Sequence, residues 1–181
     1  MNDKHNNKDN MRKLFVITIL ALLSVTASAQ KFALIDMEYI LKNVPAYERA
    51  NEQLQQASKK WQAEVEAINT EATTMYKNYQ NEVVFLSEQQ KKERQEAIMN
   101  KEKEASELKK KYFGPEGELY KKRESLMGPI QEEIYNTVKE ISEQRGYSLV
   151  IDRASDNGII YGNPRIDISN EVLVKLGYFN N

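Results

Sequence analysis

From Tyr47 the apolar positions recur at Ala50, Leu54, Ala57, Trp61, Val65, Ile68, Ala72, Met75, Tyr79, Val83 and Leu86, always three or four residues apart. Gln, Glu, Lys and Asn fill most of the gaps. A mean step of about 3.55 residues is that of a helix with one apolar seam, and it excludes a strand alternation. It lies between the heptad and eleven-residue repeats, so little supercoil is expected. No Pro or Gly occurs between Ala46 and Phe113. A seam this narrow on a charged rod builds no globular core and is satisfied only by a second helix. Ser87-Glu88-Gln89-Gln90 supplies that turn: it follows the apolar Val83 to Leu86 and fits an S-x-x-Q capping box, which predicts a hairpin tip near 86–88. The returning register runs through Ala97, Ile98, Ala105, Leu108 and Tyr112. Phe113-Gly114-Pro115-Glu116-Gly117 must interrupt it, because a Pro and two Gly continue a helix only at high cost. The helix resumes at Glu118 and meets Gly128-Pro129. A descending helix from Ala46 to Leu86 would be about 60 Å long at 1.5 Å per residue. An equal return from Ser87 brings Pro129 level with Pro45.

The ends of the chain follow a different pattern. Phe32, Ala33, Leu34 and Ile35 form a short apolar run closed by Asp36, as in a buried strand. Asp36 is placed to cap a short helix, Met37 to Lys42, and Pro45 suits the first turn of the long one. Ile134, Val138 and Ile141 continue an amphipathic helix that stops at Arg145-Gly146. Tyr147 to Asp152 then repeats the apolar run closed by Asp, and Ile159 to Tyr161 is expected as a third strand after the turn Asp156-Asn157-Gly158. Ser169 is expected to cap a last helix, Asn170 to Leu176, ended by Gly177. The hairpin brings the first two strands together. The fold class is therefore α+β, with a small sheet body drawn from residues 30–45 and 129–181 and a long antiparallel helical-hairpin arm over 46–128.

The first 29 residues read as an export signal. Met11-Arg12-Lys13 is a basic start, Leu14 to Val25 is an apolar run, and Ala27-Ser28-Ala29 is a small-x-small cleavage site before Gln30. That run is shorter than the roughly 20 residues of a membrane span. No integral span is expected after cleavage. The chain has no Cys, and its single His, His5, lies ahead of the cleavage point. Thiolate chemistry, disulfides and imidazole catalysis are excluded from the mature chain. Four of the 26 basic and two of the 27 acidic side chains fall in the first 29 residues, which leaves 22 and 25, a formal net of −3. Such a balance gives no case for nucleic acid.

No catalytic residue, cofactor site or metal site emerges. Asp36 and Asp152 close strands and read as turn or capping acids rather than an acid–base pair. Glu102-Lys103-Glu104 reads as a solvated helix face. The basic clusters Lys109-Lys110-Lys111 and Lys121-Lys122-Arg123 are offset by Glu107, Glu116, Glu118 and Glu124. Trp61 and Tyr79 lie on the seam, whereas Tyr76, Phe85, Tyr112 and Phe113 are not all explained by it. Exposed aromatics give adaptable, weak contact to unfolded chains, and these four are the candidates for such contact.

The order of motifs resembles the OmpH/Skp family of periplasmic chaperones. It consists of an export signal, then FALIDMEYIL, a long helical hairpin, GYSLVID, and GIIYGNPRIDISNEVLVKLG. The resemblance covers Lys31 to Gly177, and its end motifs are more specific than its arm. It implies a homotrimer whose strands form a shared β-body, here through Phe32, Leu34, Ile35, Leu149, Val150, Ile151, Ile159 and Ile160. It implies arms that enclose unfolded outer-membrane proteins in the periplasm, without nucleotide or other cofactor. Well-known members have markedly basic arms and this chain does not, so binding of anionic lipid or lipopolysaccharide is not carried over. The break at Phe113 to Gly117 is expected to act as an elbow that lets the cavity widen. The alternative from another class is a coiled-coil spacer or adaptor of the cell envelope.

Overall fold

The computed structural model describes residues 30–155 and 158–178. The expected export signal, and Asp156 and Asn157 of the expected turn, lie outside them. The elements in order are strand β1 (Lys31–Ile35), helix α1 (Met37–Lys42), helix α2 (Pro45–Glu82), a 3₁₀ turn (Val83–Phe85), helix α3 (Glu88–Phe113), helix α4 (Glu118–Arg145), strand β2 (Tyr147–Asp152), a 3₁₀ turn (Pro164–Ile166) and helix α5 (Ser169–Lys175).

β1 and β2 pair in parallel, with Phe32 beside Leu149, Ala33 beside Val150 and Leu34 beside Ile151. A parallel pair needs a long crossover. Here the whole arm serves as that crossover. Ala33 and Ile35 point inward and join Ile40, Val44, Ala50, Ile130, Ile134, Ile141, Ile168, Val172 and Leu173 in one core. Residues from both ends of the chain therefore close a single apolar volume.

The arm leaves this core as α2, with Pro45 at its first turn. At the tip, the Ser87 hydroxyl accepts from the Gln90 N–H and the Gln90 side chain accepts from the Ser87 N–H, which completes the capping box. On the seam, Leu54, Val65 and Ala72 of α2 and Ile98 and Ala105 of α3 are buried. Gln95 donates to the Tyr79 hydroxyl at 2.8 Å, and Lys101 pairs with Glu71 at 3.2 Å. α3 ends at Phe113 and α4 begins at Glu118, so the helix breaks where Gly and Pro cluster. α4 then runs without interruption through Gly128 and Pro129 into the body, and Pro129 is exposed inside it.

Two expectations are corrected. Ile159 to Tyr161 form no strand; among the described residues the sheet has two strands, and Ile160 is fully exposed. The third contact with the sheet comes later in the chain. Leu34 bridges Asp167, and the Ile168 N–H donates to the Leu34 carbonyl at 2.9 Å. Ser169 does not cap α5 either. Its hydroxyl accepts from the Asp36 N–H at 2.8 Å and donates to Asp167 Oδ1 at 2.6 Å, and Ile168 holds the cap position. Ser169 is instead the first residue of the helix, and its hydroxyl is aimed at Asp36, at the end of β1, and at Asp167 rather than at the helix's own N–H groups.

Candidate functional site

Three surfaces carry the residues singled out from the sequence. The first is the distal arm. Phe85, in the 3₁₀ turn, is 85% exposed and its neighbour Val84 is 78% exposed. Tyr76 on α2 and Met99 on α3 also face solvent. Their turn is closed by the Leu86 N–H donating to the Val83 carbonyl, directly ahead of the capping box at Ser87. Tyr112 and Phe113 are placed differently. Tyr112 stacks on Trp61 with centroids 5.0 Å apart and planes at 10°, and its hydroxyl donates to Glu64 at 2.5 Å. That hydrogen bond, with burial and the Glu64 charge adding to it, raises the Tyr112 pKa above the ordinary phenol value. Phe113 meets the Tyr112 ring edge-on at 6.3 Å. Of the four aromatic candidates, Tyr76 and Phe85 are exposed, while Tyr112 fastens the end of α3 to α2 and Phe113, half-buried, packs on the Tyr112 ring. Val84 belongs to the apolar tip run Val83 to Leu86 noted in the sequence, whereas Met99 was not singled out. Met99 lies one residue beyond the seam position Ile98, and that offset is the available signal.

The second surface is the outer face of the sheet. Strand alternation turns Phe32 and Leu34 away from the core. Phe32 and its neighbour Leu149 are about half exposed. Leu34 is buried because Gly162 closes over it; a Cβ at Gly162 would sit 2.4 Å from Leu34 Cδ1. Ile35 points inward, and Val150 packs against the core beside Ala33. Ile151 and Ile159 are half-buried, and Ile160 and Tyr161 are exposed. An apolar rim of Phe32, Leu149, Ile160 and Tyr161 is thus left at the body surface.

The third is a polar clasp at the strand ends. Asp36 accepts from the Tyr39 N–H at 2.8 Å and so caps α1. Asp152 Oδ1 accepts from the N–H of Met37 and of Ala154, each at 3.0 Å, and Oδ2 accepts from the Ser155 hydroxyl at 2.6 Å. Burial pushes the Asp152 pKa up, but the Ser155 hydroxyl and these backbone N–H groups outweigh it and hold the carboxyl below its ordinary value. Arg153 lies 3.2 Å from Asp36 and 3.3 Å from Asp167, which ties both strand ends to the segment ahead of α5. Sequence reasoning missed Arg153, and met Asp167 only as part of the motif before the last helix, not as a partner of Arg153. The signal was the threefold Ile-Asp dipeptide at 35–36, 151–152 and 166–167, each at the end of a sheet contact. Among the described residues, no group of acidic or imidazole side chains is placed to hold a metal ion, and no helix is long and apolar enough to cross a membrane.

Comparison with known proteins bears on these surfaces. A solved structure from Caulobacter crescentus CB15, provisionally assigned as an OmpH-like outer membrane chaperone, superposes with a TM-score of 0.65. It is 11% identical, and the match covers 82% of this chain and 85% of that one. At that identity the likeness speaks for the fold alone. Comparison with curated proteins finds no match. The family of OmpH-like outer membrane proteins matches over residues 31–176, from the first residue of β1 to the end of the last helix. With the two-stranded sheet, the helical hairpin and the end motifs on that same span, the chain belongs to the OmpH-like family.

Proposed function

We propose that this protein is an exported, ATP-independent holdase that binds unfolded outer-membrane proteins between the arms of a homotrimer and keeps them from aggregating. The observation that carries the reading is the distal arm. Tyr76, Val84, Phe85 and Met99 are exposed on a hairpin whose seam is already filled by other residues. Apolar groups not needed for packing, spread along a projecting rod, suit many weak contacts with a non-native chain. Several such arms held together would add avidity without nucleotide. The apolar rim of Phe32, Leu149, Ile160 and Tyr161 supports assembly through the body, since a two-stranded sheet whose outer face is only partly covered gains from a neighbour. The family supports a periplasmic setting and outer-membrane clients. No catalytic or cofactor role is proposed.

The test dilutes a urea-unfolded β-barrel protein into buffer with and without the protein begun at Gln30, following turbidity and measuring mass by light scattering. A trimer that keeps the client soluble without nucleotide is the expected result. A stable assembly that gives no protection at any ratio overturns the holdase and favours an envelope spacer. A monomer that protects overturns the trimer but leaves the holdase.

A further inference from the structure

The break at residues 114–117 reads from the sequence as an elbow, but its packing has the opposite character. Gly114 has φ −64 and ψ 170, and Gly117 has φ −71 and ψ 175. Both are extended conformations open to any residue, so neither glycine is required by its dihedrals. Space requires them instead. A Cβ on Gly114 would lie 2.4 Å from the Lys110 carbonyl oxygen. A Cβ on Gly117 would lie 2.7 Å from the Tyr112 oxygen, 2.9 Å from the Lys111 oxygen and 2.9 Å from the Gly114 nitrogen. The backbone is folded hard onto the last carbonyls of α3.

The hydrogen bonds agree. The Gly114 N–H donates to Lys110 O at 2.8 Å, Gly117 N–H to Gly114 O at 2.9 Å, and Lys121 N–H to Gly117 O at 3.1 Å. The bonding therefore passes from α3 through the break into α4, with Gly117 itself buried. On the α3 side the Trp61–Tyr112 stack and the Glu64 hydrogen bond fix the last turn to α2. α2 itself passes the break as one unbroken helix without Pro or Gly after its first residue. A hinge needs both strands of a hairpin to yield, and here one is continuous while the other is tightly packed.

We infer that the 114–117 break is a rigid, splinted jog that holds the distal arm in a set direction, and that it is not a flexing elbow. It lets the returning helix leave α3 and restart against α2 as α4 without disturbing α2. Any change in the space an arm encloses then arises at the body junction or the tip. The inference concerns the arm alone and does not depend on the client or the assembly state.

Two measurements test it. In amide hydrogen exchange on the purified wild-type protein, the Gly114, Gly117 and Lys121 amides should exchange at least about a hundred-fold slower than in an unstructured peptide, as stable segments do. Rates near those of a free peptide would overturn the inference. Gly114→Ala and Gly117→Ala should each lower the melting temperature, because the added Cβ meets backbone. In a loose elbow with these dihedrals the same changes would leave it unchanged or raise it, by restricting the unfolded chain. That result would also overturn the inference. The exchange measurement decides the matter should a glycine variant fail to fold.

Discussion

The largest fully enclosed side chains among the described residues, Ile40, Ile134, Ile141, Val172 and Leu173, all lie in the body. Farther out, from Leu54 to the tip, the buried apolar set on α2 and α3 thins to Leu54, Val65, Ala72, Ile98 and Ala105, two of them alanines. The body joins residues more than a hundred positions apart, and its clasp ties Asp36 to Arg153 and Asp167. The arm joins residues that face each other across one hairpin, as Tyr79 faces Gln95. A defect in the body is therefore shared by both ends of the chain, whereas a defect in the arm stays near its own level. The body stores cooperativity, and the arm is free to expose apolar residues that a globular core would have absorbed.

The strongest way to break this contrast is a pair of cavities, one in each region. Ile134→Ala empties a fully enclosed site and should cost about 2–5 kcal/mol. Val65→Ala in the arm removes two carbons from a narrower seam and should cost about 1.5 kcal/mol. Urea unfolding of both variants measures the difference. Equal losses would mean that the seam is as tightly coupled as the core.

A smaller effect tests the clasp. Arg153 is half-exposed, so its pairing with Asp36 and Asp167 is partly screened, and Arg153→Ala should cost about 1 kcal/mol. Its location makes it informative. Amides of the Asp167 to Ser169 segment should exchange faster in the variant, while those of Ile98 to Ala105 should not. Faster exchange in both places would show that the arm senses the body more than the contacts allow.

Acid should act on the body first. The folded Asp152 carboxyl titrates below its ordinary value, so its contribution is complete above that value and is lost as the pH falls through the folded one. Asp152→Asn keeps an oxygen for the Met37 and Ala154 N–H groups and removes the charge. The acid limb of the stability curve should flatten. An unchanged limb would assign acid sensitivity to other carboxylates.

Much of the arm was legible because its signals are local. A 3.55-residue step, a capping box and a Gly-Pro cluster each act within a few residues, and the elements at Pro45–Glu82, Glu88–Phe113 and Glu118–Arg145 follow them. The two strands were legible as apolar runs closed by Asp. The body's third contact was not. Ile159 to Tyr161 has strand composition, but Gly162 must fold over Leu34, and the ladder is met only at Asp167 and Ile168. The fate of Ser169 was equally hidden, since its partner Asp36 is 133 residues away. At the candidate site, periodicity left Tyr76, Phe85, Tyr112 and Phe113 not all explained by one seam, although Tyr112 lay on the returning register. Only the opposite helix separates them, because Trp61 happens to face Tyr112.

The smallest effect on stability is expected at the tip, where it separates the two regions by function. Phe85 makes no enclosed contact and is 85% exposed, so Phe85→Ser should shift stability by no more than about 0.5 kcal/mol. If the distal arm touches clients, the same change should weaken protection of an unfolded β-barrel protein, and adding Val84→Ser should weaken it further. Tyr112→Ser is the counterpart. It should loosen the arm by removing the Trp61 stack and the Glu64 hydrogen bond, and affect protection only through that loosening. Protection that survives loss of Phe85 and Val84 but fails with Tyr112 would place the arm's contribution in its rigidity rather than in its exposed apolar groups. The tip would then serve only to end the hairpin, and the client would have to be held by the faces along the rod.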